Sequence, residues 1–142
     1  MVALPHGVSY AAMKIAVVVY GSPTAGRSHQ SALRFLRAAV EAGHAIVRVF
    51  FYHDAVLIGS ALSVAPQDEA DIGAEWESLA RDSGIELCLC ISAAIRRGIL
   101  NESEAQRYER SAHVLRPAFE IAGLGQLAAA VIDADRVVVF PA

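Results

Sequence analysis

Ile15-Ala-Val-Val-Val-Tyr20 is an unbroken apolar run with no polar alternation. A strand with one wet face alternates apolar and polar residues. A run like this one is buried on both faces, as in the interior of a parallel sheet. Four further short runs read as strands: Ala45 to Tyr52, Glu86 to Cys90, Phe119 to Ala122 and Arg136 to Phe140. Helical segments lie between them. Leu33, Leu36 and Val40 stripe a helix from about Ser28 to Ala42, stopped by Gly43. Ile72, Trp76 and Leu79 do the same from Asp68 to Asp82. A short helical turn from Ser92 to Arg97 closes at Gly98. A polar helix runs from Glu102 to about Leu115, ahead of Pro117. Gly123-Leu-Gly125 turns into an alanine-rich helix through Ala134. The alternation βαβαβαβαβ predicts an α/β fold, one parallel sheet with helices on both faces. Residues 55–67 read as irregular, and a loop that long is often a functional or interaction element.

The chain has 142 residues, 55% hydrophobic and 19% charged, which fits one packed domain over residues 13–142. Residues 1–12 lack a basic leader and contain Pro5. They read as a loose extension, or as an upstream start with Met13 the true one. The formal net charge of -3 argues against binding nucleic acid directly through phosphate neutralisation. No apolar run approaches the roughly 18 residues needed to span a bilayer. A mean hydropathy of +0.41 in so short a chain predicts apolar surface left over for partner subunits.

The chemistry concentrates at Cys90. The third strand ends there and a helix begins at once, with Ser92, Arg96 and Arg97 close behind. In open α/β sheets ligands bind outside the carboxyl ends of the strands. A thiol at that edge, beside a helix start and two arginines, is expected to be ionisable and reachable. Half ionisation of an ordinary thiol at neutral pH needs about 2 kcal/mol. A helix N-terminus supplies only about 0.3–1 kcal/mol, so Arg96, Arg97 or a partner's cation has to supply the rest. The competing reading is a buried cysteine acting as a small hydrophobe. Cys88 lies inside the strand on the same face as Cys90 and reads as core. The two are too close along the chain for a sound disulfide, and free thiols fit a cytoplasmic protein. One residue between them, with no second pair, does not fit a zinc site, so no metal is expected.

Two other features leave the same edge. Gly21, Ser22 and the loop through Gly26 match neither the P-loop nor the dinucleotide pattern, and a plain βα turn explains them. His53 follows the second strand and can donate to a bound sulfur species, or simply be solvated.

Several segments together carry a resemblance. They are Cys90-Ile-Ser-Ala-Ala-Ile-Arg-Arg-Gly-Ile-Leu100 with Asn101-Glu-Ser-Glu-Ala105, Val49-Phe-Phe-Tyr-His-Asp54 and Ala65-Pro-Gln-Asp-Glu69. Ile121 to Leu127 and Ala134 to Phe140 complete the set. Over Met13 to Phe140 the chain resembles the DsrE/TusD sulfurtransferase family. The resemblance implies a three-layer α/β/α sandwich around a five-stranded parallel sheet, of the DsrEFH-like kind. It implies that Cys90 carries sulfur as a persulfide; from the residues themselves, Ser92, Arg96 and Arg97 are candidates to stabilise it and Gly21, Ser22 and His53 are candidates to line the site. It implies no cofactor. Implied partners are TusB- and TusC-like or DsrF- and DsrH-like subunits, a TusA-like donor and a TusE- or DsrC-like acceptor. The implied destination is the 2-thio group of wobble uridine in tRNA, or alternatively sulfur oxidation. A non-catalytic assembly subunit and an anion-binding module at the Gly21–Gly26 loop are the other readings. Cys88 and the extension before Met13 lie outside the family's pattern.

Overall fold

A computed structural model describes residues 11–142. The reading of residues 1–12 as an extension falls largely on residues 1–10, outside the described residues. The strands are β1 (Lys14–Val19), β2 (Ala45–Phe51), β3 (Leu87–Cys90), β4 (Phe119–Ala122) and β5 (Arg136–Phe140). They form one five-stranded sheet in the order β4-β3-β2-β1-β5, and every neighbouring pair is parallel. The helices are α1 (Ser28–Glu41), α2 (Ile72–Ser83), α3 (Ile91–Arg96), α4 (Glu102–Arg107) and α5 (Leu124–Asp133).

Each strand turns alternate side chains to opposite faces. Register therefore sorts the sheet into two sides. Val17, Val49 and Leu87 share one side with Phe119, and Val19, Phe51 and Leu89 with Ile121. There Phe51 meets Trp76 of α2 edge-on at 4.9 Å, and Phe140 meets Phe35 of α1 at 5.7 Å. The other side carries Ala16, Val18, Phe50, Cys88, Cys90 and Ala122. Helix α5 packs across this side onto β1 and β2. Arg48 fixes it there, giving one N–H to the Gln126 carbonyl at 3.2 Å while gripping Glu86 through Nε at 3.0 Å.

One polar group sits inside the first layer. His29 is 1% exposed. The Trp76 indole N–H donates to its Nδ1 at 3.1 Å, so the proton is on Nε2, which donates to the Gly21 carbonyl at 2.8 Å. The ring thereby ties α1 to α2 and to the turn after β1.

Two segments differ from the sequence expectation. The helix expected from Glu102 to about Leu115 ends at Arg107. Glu109 adopts φ 53, and the Arg110 N–H reaches back to the Ala105 carbonyl at 2.8 Å. This is a Schellman stop with a non-glycine residue at the left-handed position, so no glycine advertises it. The chain beyond is held by the Val114 N–H to the Leu100 carbonyl and by a bridge between Ser60 and Leu115. The stretch expected to be irregular from residue 55 begins as a 3-10 helix, His53–Gly59, with Ala55 and Val56 fully buried. Gly59 admits no side chain, because a Cβ there would overlap Leu89.

Burial holds His29 well below the ordinary imidazole range, at about 4. In the unfolded chain the ring titrates near ~6.5. Between those values the unfolded chain takes up a proton that the native protein refuses. The contribution is complete above about pH 6.5 and is lost as pH falls toward 4. Urea unfolding at a series of pH values is expected to show a decline of up to about 3 kcal/mol across that window. His29→Phe should flatten that decline and cost about 1–3 kcal/mol at neutral pH, because the Trp76 N–H and the Gly21 carbonyl lose their partner.

Candidate functional site at the carboxyl edge

Because all five strands are parallel, their carboxyl ends share one edge. Strand order sets Cys90 beside the end of β2, and β2 beside the end of β1. Tyr52 and His53 follow β2 directly, and Tyr20 follows β1. The three rings cluster, with Tyr52 and His53 centroids 4.3 Å apart and Tyr20 and His53 5.3 Å apart. His53 takes φ 51, a left-handed conformation that histidine adopts more readily than most side chains. That turn carries the chain from β2 into the 3-10 helix and points Asp54 at α3. Asp54 accepts from Arg97 Nε at 3.0 Å, and Arg97 donates a second N–H to the Ala93 carbonyl at 3.0 Å.

Cys90 is the last residue of β3 and the residue from which α3 starts, with φ -57 and ψ 122. It is 2% exposed. The sequence reading expected a reachable thiol, and in the isolated chain it is covered. The reason is local. Cys90 lies on the sheet side that α5 covers, opposite Ala122 of β4, and buried Ala93 and Ala94 follow it in α3. Helix α3 is six residues long, closed by Gly98 at φ 73.

The other candidates divide. Ser92 and Arg96 are exposed, and Arg96 makes no ion pair among the described residues. Arg97 is engaged by Asp54 and the Ala93 carbonyl, so its charge is spoken for. The Gly21–Gly26 loop is satisfied internally. Ser22 Oγ accepts from the Thr24 N–H at 3.2 Å, the Ala25 N–H points to the Ser22 carbonyl at 3.4 Å, and Gly21 packs under Ser28 with no room for a side chain. A loop whose amides point inward is a poor anion cradle. Cys88 is fully buried, and burial pushes its thiol up to about 11, against the opposing pull of Arg48. Among the described residues no three His, Cys, Asp or Glu side chains are arranged to hold a metal.

Two features escaped the sequence reading. Asp54 and Arg97 are 43 positions apart, and nothing in their spacing announces the pair. Arg116 is the other. Its side chain is 12% exposed, lies 3.6 Å from Asp71 and 3.5 Å from Glu77, and donates to the Ser60 carbonyl at 3.2 Å. It borders a cavity of about 510 Å³ with Pro23, Gln30, Val64 and Pro66, which Cys90 does not line.

The model of the DsrE/DsrF-like family matches residues 13–140. The chain is 45% identical over 128 residues to a sulfurtransferase TusD homolog of Pseudomonas aeruginosa, covering 90% of this chain and 97% of the relative. It is 44% identical over 128 residues to the DsrE protein of Allochromatium vinosum, covering 90% and 98%. To a sulfurtransferase TusD of Klebsiella pneumoniae it is 38% identical, covering 90% and 100%. The crystal structure of the YchN protein from E. coli superposes with a TM-score of 0.73 at 26% identity, covering 90% of this chain and 99% of that one.

The environment of Cys88 generates a direct expectation. Cys88→Ser sets a hydroxyl in an apolar site with no partner and should cost about 1–3 kcal/mol in denaturant unfolding. Alkylation of the native protein at pH 8 should label Cys88 at least about tenfold more slowly than it labels the urea-unfolded chain.

Proposed function

The chain belongs to the DsrE/DsrF-like family, and from that premise we propose that it is a sulfur-relay subunit carrying sulfane sulfur as a persulfide on Cys90. The observation that carries the reading is the position of that thiol. It ends a strand at the carboxyl edge of a parallel sheet, in a chain 38–45% identical to relatives named sulfurtransferase TusD. Cys88, two residues back, is held in its thiol form by burial, which supports Cys90 as the working sulfur.

The chemistry needs no cofactor. A donor persulfide, R–S–SH, presents its outer sulfur to the Cys90 thiolate. The new S–S bond forms as the donor's S–S bond breaks, giving Cys90–S–SH and R–S⁻. An acceptor thiolate then attacks the outer sulfur, leaves with it as a persulfide, and returns Cys90 to the thiolate. Oxidation level is conserved at each step, as in thiol–disulfide exchange. Ser92 and Arg96, exposed just after Cys90, are the groups best able to meet the charge of the persulfide. His53, Gly21 and Ser22 border the same edge.

Attack requires an open line to the sulfur, and Cys90 is 2% exposed. Transfer therefore entails opening of this edge when a protein donor docks. Subunits of TusB and TusC kind, a TusA-like donor and a TusE-like acceptor complete the relay in this reading, in the cytoplasm. The 2-thio group of wobble uridine is the destination that the TusD relatives favour. The DsrE protein, at 44% identity, supports the alternative of sulfur oxidation.

Incubation with a persulfide donor followed by peptide mass spectrometry tests the carrier. One added sulfur atom on the Cys90 peptide, retained in Cys88→Ser and absent in Cys90→Ser, is expected. An adduct that survives Cys90→Ser would sink the reading.

A further inference from the structure

We propose that Asp54 is a positioning residue for sulfur transfer, acting on Cys90 through Arg97 and the first turn of α3. The inference rests on the reading of Cys90 as the carrier. Asp54 sits on the 3-10 helix His53–Gly59, whose other residues include Ala55 and Val56 at 0% and Ile58 at 4% exposure. Those residues pack that segment into the core of the sheet. Asp54 faces outward beside His53, with a side chain 62% exposed.

From this fixed post Asp54 holds Arg97 Nε at 3.0 Å, and the same guanidinium holds the Ala93 carbonyl at 3.0 Å. Ala93 is three residues after Cys90. The chain of contacts thus runs from the end of β2, through two side chains, to the backbone that leaves the thiol. The fork of the arginine suits this double grip, whereas a lysine cannot span it in the same way. Helix α3 is too short to hold its own geometry, since an isolated six-residue helix is unstable. Its orientation depends on what it is fastened to. The fastening sets where the Cys90 sulfur lies when the edge opens, and reacting atoms displaced by ~1 Å lose up to about 10²-fold in rate.

The role differs from a direct electrostatic one. If the Arg97 charge met the persulfide itself, releasing it from Asp54 would leave loading unchanged or faster. Positioning predicts the reverse.

The experiment is single-turnover loading of the full chain from a TusA-like protein carrying a persulfide, read by mass on the Cys90 peptide over a range of donor concentrations. Asp54→Ala and Asp54→Asn are each expected to lower the saturating rate constant about tenfold. The half-saturating donor concentration should not change. Asp54→Glu should recover most of the rate. Arg97→Ala should be as slow as Asp54→Ala, with the double variant no slower than either. Melting temperatures should stay within about 2 °C, as for an exposed ion pair.

Wild-type loading in Asp54→Asn overturns the proposal, as does additivity with Arg97→Ala. A change confined to half-saturation also overturns it, because Asp54 would then be a donor contact. Absence of sulfur on Cys90 in the wild-type chain overturns the carrier reading itself, and this proposal with it. Normal wild-type loading beside an unaffected Asp54 series overturns this one alone.

Discussion

Parallel pairing of β3 with β2 is the constraint on which the site depends. It sets the turn after Phe51 beside the turn after Cys90. With antiparallel pairing those turns would lie at opposite ends of the sheet. The parallel arrangement is dictated by composition. β1 is buried along nearly its whole length and cannot serve as a strand with a wet face. The βαβ connections that follow then send every strand the same way, so Tyr20, His53 and Cys90 are brought to one rim from positions far apart in the chain.

Within that frame the interior holds few polar groups, and the largest of them are hydrogen-bonded, while Ser28 Oγ and Glu104 Oε2 are buried without a hydrogen-bond partner. His29 receives from Trp76 and gives to Gly21, so a single neutral ring joins two helices to the β1 turn. Arg48 is held by Glu86 and by the carbonyl of Gln126, which locks α5 over the side of the sheet that carries both cysteines. Arg116 does similar work outside the sheet, drawing Ser60 toward α2. These contacts tie the helices and connections to the sheet in a chain whose connections are long. They also leave several large apolar residues exposed. Val131 and Ile132 of α5 and Val137 and Val139 of the edge strand β5 are 40–85% exposed. This agrees with the surplus of apolar surface expected from mean hydropathy.

Much of this was legible in the residues. The unbroken run at Ile15 indicated the sheet type, and the apolar stripes of α1 and α2 located both helices along the chain. Gly43 and Gly98 ended their helices where a left-handed residue was needed. Three things were not legible, each for a physical reason. The end of α4 depends on Glu109 accepting a conformation that usually selects glycine or asparagine. The 3-10 helix after β2 is too short to show a period, and its burial comes from packing under Leu89 and Leu115. The cover over Cys90 is a tertiary fact. Alternation along β3 tells which side a residue is on, but not how closely Ala93 and Ala94 of α3 and Ala122 of β4 close around its end.

That cover changes how the chemistry has to be understood. A persulfide is both a nucleophile and an electrophile, and exposed to solution it exchanges with any thiol that reaches it. A carrier with a bare sulfur would lose its cargo to the surrounding thiol pool. In the proposed relay, seating the sulfur at the buried junction of β3 and α3 makes reactivity conditional on something displacing the rim. Such a device works only if the sulfur returns to one geometry when uncovered, which requires that the short helix behind it be fixed to something rigid. The 3-10 helix is buried in the core, and the Asp54–Arg97 pair is its side-chain ion-pair link to α3, beside the packing of Ala93 and Ala94. In the proposed relay, concealment and orientation are two halves of one solution, both drawn from residues adjoining the carboxyl ends of β2 and β3.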